Sequence, residues 1–380
     1  MRRSLALLLL CAPLAAQTAL FRDLVFANAT RTNNVAYGSA LNRWTSQVET
    51  LRLDRYEPAG DVGPAARPAM VVIHGGGFVG GDKGDPQMVA LATDFARRGY
   101  FAVSINYRMA PPGSPITPQV ITDAMEDAKA AVRFLRANAA AWRIDVNRIA
   151  TLGSSAGAYT GLAVAHLPGE GNSGNPGFPS NVHATVDLWG ALQDPNQMEP
   201  GEPPLCIIHG TADPTVPYAQ ALALDARATA IGLAHELHPL VGAGHAPWNL
   251  IATFRPEYLA FLYEHLKAGQ LSGLGARAGW SSPGSITLDH FGIAGDPVFL
   301  FLSTSRVDLD LGPLGVLCLN PALLVPLGGA VLPATPRLPT AAQVFPVPGG
   351  LAGVTLYWQA LHLTSGGAAR LLTNCVATTF

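Results

Sequence analysis

Gly153-Ser154-Ser155-Ala156-Gly157 follows the apolar run Ile149-Ala150-Thr151-Leu152 and precedes Ala158 to His166, a stretch able to form a helix. The pattern G-x-S-x-G in that setting places Ser155 on a tight strand-to-helix turn. Flanking glycines let strand and helix approach closely there, and the serine hydroxyl projects into open space. The competing reading makes Ser155 a helix N-cap; Ser154 is read as the neighbour of the nucleophile, without a catalytic role. In a chain with 40 glycines the pattern decides nothing until it has partners.

Upstream, Met70-Val71-Val72-Ile73 reads as a buried strand and runs into His74-Gly75-Gly76-Gly77-Phe78. Glycines in such a loop expose backbone N–H groups that a Cβ would crowd, as an oxyanion hole requires. Downstream, the apolar strand Leu205-Cys206-Ile207-Ile208 leads through His209-Gly210-Thr211-Ala212 to Asp213. Open α/β sheets place their chemistry just past the carboxyl ends of strands, where Asp213 falls. Asp187 and Asp194 are the rival acids. Val241-Gly242-Ala243-Gly244-His245 then sets a histidine in a glycine-rich loop ahead of a helix, a position none of the other histidines shares.

With Asn106-Tyr107-Arg108-Met109-Ala110-Pro111 and Gly80-Gly81-Asp82-Lys83, these motifs over residues 45–267 resemble the α/β-hydrolases of the hormone-sensitive-lipase-like and bacterial feruloyl-esterase-like branch. The resemblance implies a Ser155, Asp213, His245 triad and an oxyanion hole of the Gly76, Gly77 and Ala156 N–H groups. It implies hydrolysis of carboxylic esters with no metal or organic cofactor. Lipase-like relatives often carry a large helical cap. The 58 residues from Ser155 to Asp213 leave little room for one.

Phe78, Trp189 and Trp248 stand beside the catalytic loops and are assigned to the substrate cleft, with core packing as the alternative. His74 and His209 read as structural, His74 by bracing its turn. Arg108 could pair with Asp123 and Asp127, although a solvated helix face is the simpler account of those two aspartates.

The fold expected is α/β, a doubly wound, mostly parallel sheet over residues 17–268. Its strands include 101–107, 183–189 and 234–240, and its helices 120–142, 219–231 and 249–267. From Gly269 onward Pro and Gly recur every few residues and helical period disappears, which reads as a small C-terminal β-sandwich over 269–380. Such a module could anchor the enzyme or contact polysaccharide or a cell surface.

Composition narrows the function further. A net charge of −2 offers no basic field for nucleic acid. Arg2-Arg3, Leu5 to Leu10 and Ala12-Pro13-Leu14-Ala15-Ala16 have the parts of a secretory signal peptide over 1–16, so the protein is expected to be secreted or periplasmic. No further apolar run is long enough to span a bilayer. Cys206 reads as a buried core residue, and an export context permits a Cys318–Cys375 disulfide. No C-x-x-C or H-E-x-x-H spacing marks a zinc site. The substrate expected is an acetylated or feruloylated polysaccharide or a short-chain ester. A polyester depolymerase or lipase of the same fold is the alternative, and a non-catalytic secreted binding protein is the alternative of another class.

Overall fold

The computed structural model of the chain describes residues 20–60 and 66–266, together with ten strands between 274 and 379. Eight strands form one sheet. They are β1 (Ala29–Asn42), β2 (Gln47–Pro58), β3 (Arg67–Ile73), β4 (Phe101–Ile105), β5 (Ile144–Ser154), β6 (Ala184–Leu188), β7 (Leu205–Gly210) and β8 (His235–Leu240). The order is β1-β2-β4-β3-β5-β6-β7-β8, antiparallel at β1/β2 and β2/β4 and parallel from β4 to β8.

The parallel strands are apolar on both sides because helices cover both. In β3, Met70 and Val72 face one cluster with Leu91 and Phe95 of α1 (Pro86–Arg97) and Phe254 and Phe261 of α6 (Ile251–His265). The alternate residues Ala69, Val71 and Ile73 face the other, with Ala124, Ala128 and Ala131 of α2 (Pro118–Ala137) and Ala163 of α4 (Ala156–His166). On that second face α5 (Ala219–Ile231) packs Ala221 and Leu224 against Leu205 and Ile207. This is the doubly wound sheet expected. Cys206 is buried in β7, as its apolar setting implies.

Helix α2 starts where Thr117 Oγ1 accepts the Val120 N–H and Pro118 fills the first turn. It does not run unbroken to Trp142 as the periodicity suggests. Asn138 leaves helical geometry and its Nδ2 donates to the Phe134 carbonyl, and α3 (Ala139–Trp142) follows, closed by Arg143 at φ 53°. Asp123 and Asp127 are buried, which corrects the solvated-face reading. Arg108 Nε and Nη2 hold Asp127 at 2.9 and 2.8 Å, Ser173 Oγ donates to the same carboxylate at 2.6 Å, and Asp123 lies 3.5 Å from Arg108 Nη1. A buried pair of this kind needs every lone pair satisfied, and this one is close to that.

The same helix turns three cations toward the long connection between α4 and β6. Lys129 Nζ donates to the carbonyls of Leu167 and Gly169, Arg133 Nε to Gly174, and Arg136 to Pro179 and Asn181. That connection reaches β1. The Ser39 N–H donates to Ser173 O at 3.0 Å, and Asn175 Nδ2 donates to Tyr37 O at 2.7 Å. Gly38 lies under it, where a Cβ would meet Ser173 O at 2.1 Å. Strand β1 also carries two register shifts against β2, and the opposite edge strand β8 contains Pro239.

Hairpin β1–β2 was absent from the sequence-based reading. Beyond residue 266 the strands are β9 (Leu274–Ala276), β10 (Ser285–Phe291), β11 (Pro297–Ser303), β12 (Arg306–Asp310), β13 (Val316–Leu319), β14 (Val325–Val331), β15 (Thr340–Pro346), β16 (Thr355–Leu363), β17 (Ala369–Leu372) and β18 (Val376–Thr379). All their pairings are antiparallel, in sheets ordered β15-β10-β9, β14-β11-β16-β17 with β18 on β16, and β12-β13. The expected signal peptide lies outside the described residues, as does Cys375 of the expected Cys318–Cys375 disulfide. Among the described residues, no helix is long and apolar enough to cross a membrane.

Candidate active site

The loops after β3, β5, β7 and β8 meet at the carboxyl edge of the parallel strands. Ser155 sits between β5 and α4 with φ 52° and ψ −120°, a strained geometry for a residue with a Cβ. Its backbone N–H donates to Leu188 O on β6 at 2.9 Å. Its side chain makes no N-cap hydrogen bond, which removes the helix-cap reading. The glycines around it are required by contact. A Cβ on Gly153 would lie 2.0 Å from Gly157 O, and one on Gly157 would lie 2.2 Å from Ile73 O.

The Ser155 Oγ lies 2.9 Å from His245 Nε2, and His245 Nδ1 lies 2.7 Å from Asp213 Oδ2. Asp213 Oδ1 accepts the N–H groups of Thr215 and Val216 at 2.8 and 2.9 Å. Burial works to raise the Asp213 pKa. The hydrogen bond from His245 and the two backbone donors outweigh it and hold the carboxyl below its ordinary value. The loops bearing Asp213 and His245 are docked backbone to backbone. Ala212 N–H donates to Ala243 O at 3.0 Å, and a Cβ on Gly210 would come within 2.4 Å of that oxygen. The rival acids are engaged elsewhere. Asp187 is buried and accepts the Gly190 N–H at 2.7 Å, while exposed Asp194 accepts from Asn196.

Gly76 and Gly77 have φ 110° and 61°, left-handed values that favour glycine, and Gly75 lies where a Cβ would be 3.2 Å from Ser155 Cβ. Ala156 is the first residue of α4, so its N–H has no acceptor within the helix. The loop after β4 braces this arrangement. Tyr107 stacks on His74 at 4.5 Å and donates its hydroxyl to His74 O at 2.9 Å, and Ala110 N–H donates to Phe78 O. Asn106 Oδ1 accepts the Lys83 N–H, and its Nδ2 donates to Asp82. His74 is buried with its Nδ1 2.7 Å from Gly75 O, the bracing role expected of it. Tyr107 and Asn106 were part of a sequence motif, yet their bracing contacts become visible only here.

The aromatic assignments need correction. Phe78 and Trp189 are buried and belong to the core, with left-handed φ of 60° and 48° that turn them inward. Phe78 packs edge-on against Tyr107 and Tyr159, and Trp189 against Trp248 and Phe254. Trp248 is half-buried beside the His245 loop. Tyr159, one turn into α4, is a half-buried aromatic against Phe78 of the glycine loop that the sequence reading did not single out.

Sheet order, helix layers and the strand-end serine turn are those of the α/β-hydrolase fold. Residues 53–198 match the BD-FAE family. The chain is 38% identical over 122 residues to phenmedipham hydrolase of Pseudarthrobacter oxydans, covering 32% of this chain and 24% of that protein. It is 26% identical over 239 residues to Esterase LipQ of Mycobacterium tuberculosis, covering 53% and 55%. Thermogutta terrifontis esterase 2 phosphonylated by cyclosarin superposes with a TM-score of 0.51 at 25% identity, over 61% of this chain and 92% of that one. The chain thus spans between about a quarter and about half the length of these two curated relatives.

Proposed function

We propose that this protein is an exported serine esterase that cleaves carboxylic esters through an acyl-enzyme on Ser155. The observation that carries the reading is the unbroken chain of contacts Ser155 Oγ to His245 Nε2 to Asp213 Oδ2, at 2.9 and 2.7 Å. Asp213 accepts the Nδ1–H of His245, so Nε2 presents its lone pair to the serine hydroxyl. As Ser155 Oγ attacks the ester carbonyl carbon, His245 takes its proton and the carbonyl oxygen becomes an oxyanion. The N–H groups of Gly76, Gly77 and Ala156 receive that charge, and each such donor is worth about 3 kcal/mol in the transition state. Collapse expels the alcohol, which leaves with the proton from His245. Water then repeats the attack on the acyl group and frees the acid and Ser155.

The substrate class is an acetylated or feruloylated polysaccharide or a short-chain ester. Support comes from the BD-FAE match over 53–198 and from the esterase relatives. Export rests on the basic, apolar and small-residue order of residues 1–16. The strands beyond 266 form a binding or anchoring module. The test is turnover of p-nitrophenyl acetate, methyl ferulate, acetyl-xylan and an aliphatic polyester by wild type, Ser155→Ala and Ser154→Ala. Ser155→Ala is expected to lose nearly all turnover and fluorophosphonate labelling, and Ser154→Ala to keep both. A Ser155→Ala protein that retains wild-type rates refutes the proposal.

A further inference from the structure

His209 occupies the carboxyl end of β7, fully buried, four residues before Asp213. Its Nε2 lies 2.8 Å from Val216 O and 3.4 Å from Asp213 Oδ2. A carbonyl oxygen can only accept, so Nε2 carries the proton. Burial lowers the pKa of the ring, and Nδ1 is buried with no hydrogen-bond partner among the described residues, so the imidazole is neutral. Tyr218 is the aromatic neighbour, with ring centroids 6.0 Å apart.

The contacts form a closed circuit. The His209 Nε2–H holds the carbonyl of Val216, and the N–H of the same residue, with that of Thr215, holds Asp213 Oδ1. The other carboxylate oxygen, Oδ2, lies between two imidazoles, His245 at 2.7 Å and His209 at 3.4 Å. Rotation of the Asp213 carboxylate would break contacts on both oxygens. Without the donor on His209, the turn 213–216 loses its tie to the rigid strand.

We propose that His209 is a positioning residue for Asp213: its Nε2–H clamps the turn whose N–H groups hold Asp213 Oδ1, and so aims Oδ2 at His245 and His245 at Ser155. The inference rests on the triad reading given above. Misplacing a group that orients the base affects the chemical step and leaves ground-state substrate contacts intact, so the loss falls on kcat.

The experiment is steady-state hydrolysis of p-nitrophenyl acetate by the full chain, with active sites counted by fluorophosphonate labelling carried to completion. His209→Met fills the space without a donor and is expected to lower kcat about tenfold or more with KM within about twofold. His209→Gln places an amide N–H near the position of Nε2 and is expected to restore kcat to within about threefold of wild type. If His209→Met does not fold, His209→Phe keeps a planar ring without the donor and carries the same expectation. Wild-type kcat in a folded donor-less variant overturns the inference, as does an equal loss in the Gln and donor-less variants. Ser155→Ala in the same assay separates the two readings. If it is inactive while the His209 variants turn over normally, only the positioning role fails, and if it turns over like wild type, the triad itself fails.

Discussion

Asp187 is a buried carboxyl that the proposed chemistry does not use, and it supplies a quantitative test of the packing under Ser155. It pairs in register with Gly153 of β5, Oδ1 accepts the Gly190 N–H, and Oδ2 is buried without a hydrogen-bond partner among the described residues. Burial pushes its pKa from 3.8 up to about 7, against the opposing effect of the Gly190 hydrogen bond. The folded protein therefore keeps a proton that the unfolded chain releases near pH 4. Below that pH the carboxyl carries no penalty. As pH rises toward 7 the folded state bears the cost of holding the proton, and above 7 the cost of a buried charge. In Asp187→Asn the neutral amide retains an acceptor for Gly190 and removes the titration. At about 1.4 kcal/mol per pK unit, the variant's stability relative to wild type should grow from about 1 kcal/mol at pH 4.5 to about 4 kcal/mol above pH 8. Any fixed gain or loss from the new amide N–H groups shifts this difference equally at every pH, so the slope carries the test. Urea unfolding of both proteins from pH 4.5 to 8.5, followed by tryptophan fluorescence with Trp189 two residues away, measures it. A difference that is flat across this range, or that widens toward acid, refutes the assignment of a buried, upward-shifted carboxyl.

Two further substitutions test the scaffold. Gly157→Ala brings a Cβ to 2.2 Å from Ile73 O and should destabilise by about 3 kcal/mol or more, whereas Gly244→Ala, with open space at its Cβ, should melt within about 2 °C of wild type; thermal melts compare them. Arg108→Met strands the buried Asp127 carboxylate and should cost about 3–5 kcal/mol in urea unfolding, with part of the loss recovered in the Arg108→Met/Asp127→Asn double variant.

The parallel half of the sheet was legible because its strands are continuous apolar runs and its chemistry sits on glycine-marked turns. Ser155, Asp213 and His245 could be picked out for the same reason, since each follows a strand in a loop of distinctive composition. Hairpin β1–β2 was not legible. Its first strand is mostly exposed, its alternation is interrupted by register shifts at Thr32/Val35 and Ala36/Gly38, and residues such as Asn33 and Asn34 carry turn chemistry inside a strand. The burial of Asp123 and Asp127 escaped because their partner comes from a loop 15 to 19 residues earlier, and a sequence shows charges without showing which meet. Phe78 and Trp189 were misplaced for a backbone reason. Left-handed φ is rare for aromatic residues, so nothing in their identity announces the inward turn.

The connection between α4 and β6 has a consequence for how copies of this protein coexist at high concentration. A sheet edge is a template, and an unpaired row of N–H and C=O groups recruits another strand as readily as its own neighbour. Here the outer side of β1 is occupied at Tyr37 and Ser39 by residues of that connection, and the connection is in turn held by Lys129, Arg133 and Arg136. At the far side Pro239 removes one donor from β8. The cations of α2 therefore hold in place the segment that occupies this edge. They stand far in sequence from the edge they protect, and their loss would surface as clumping of otherwise competent molecules.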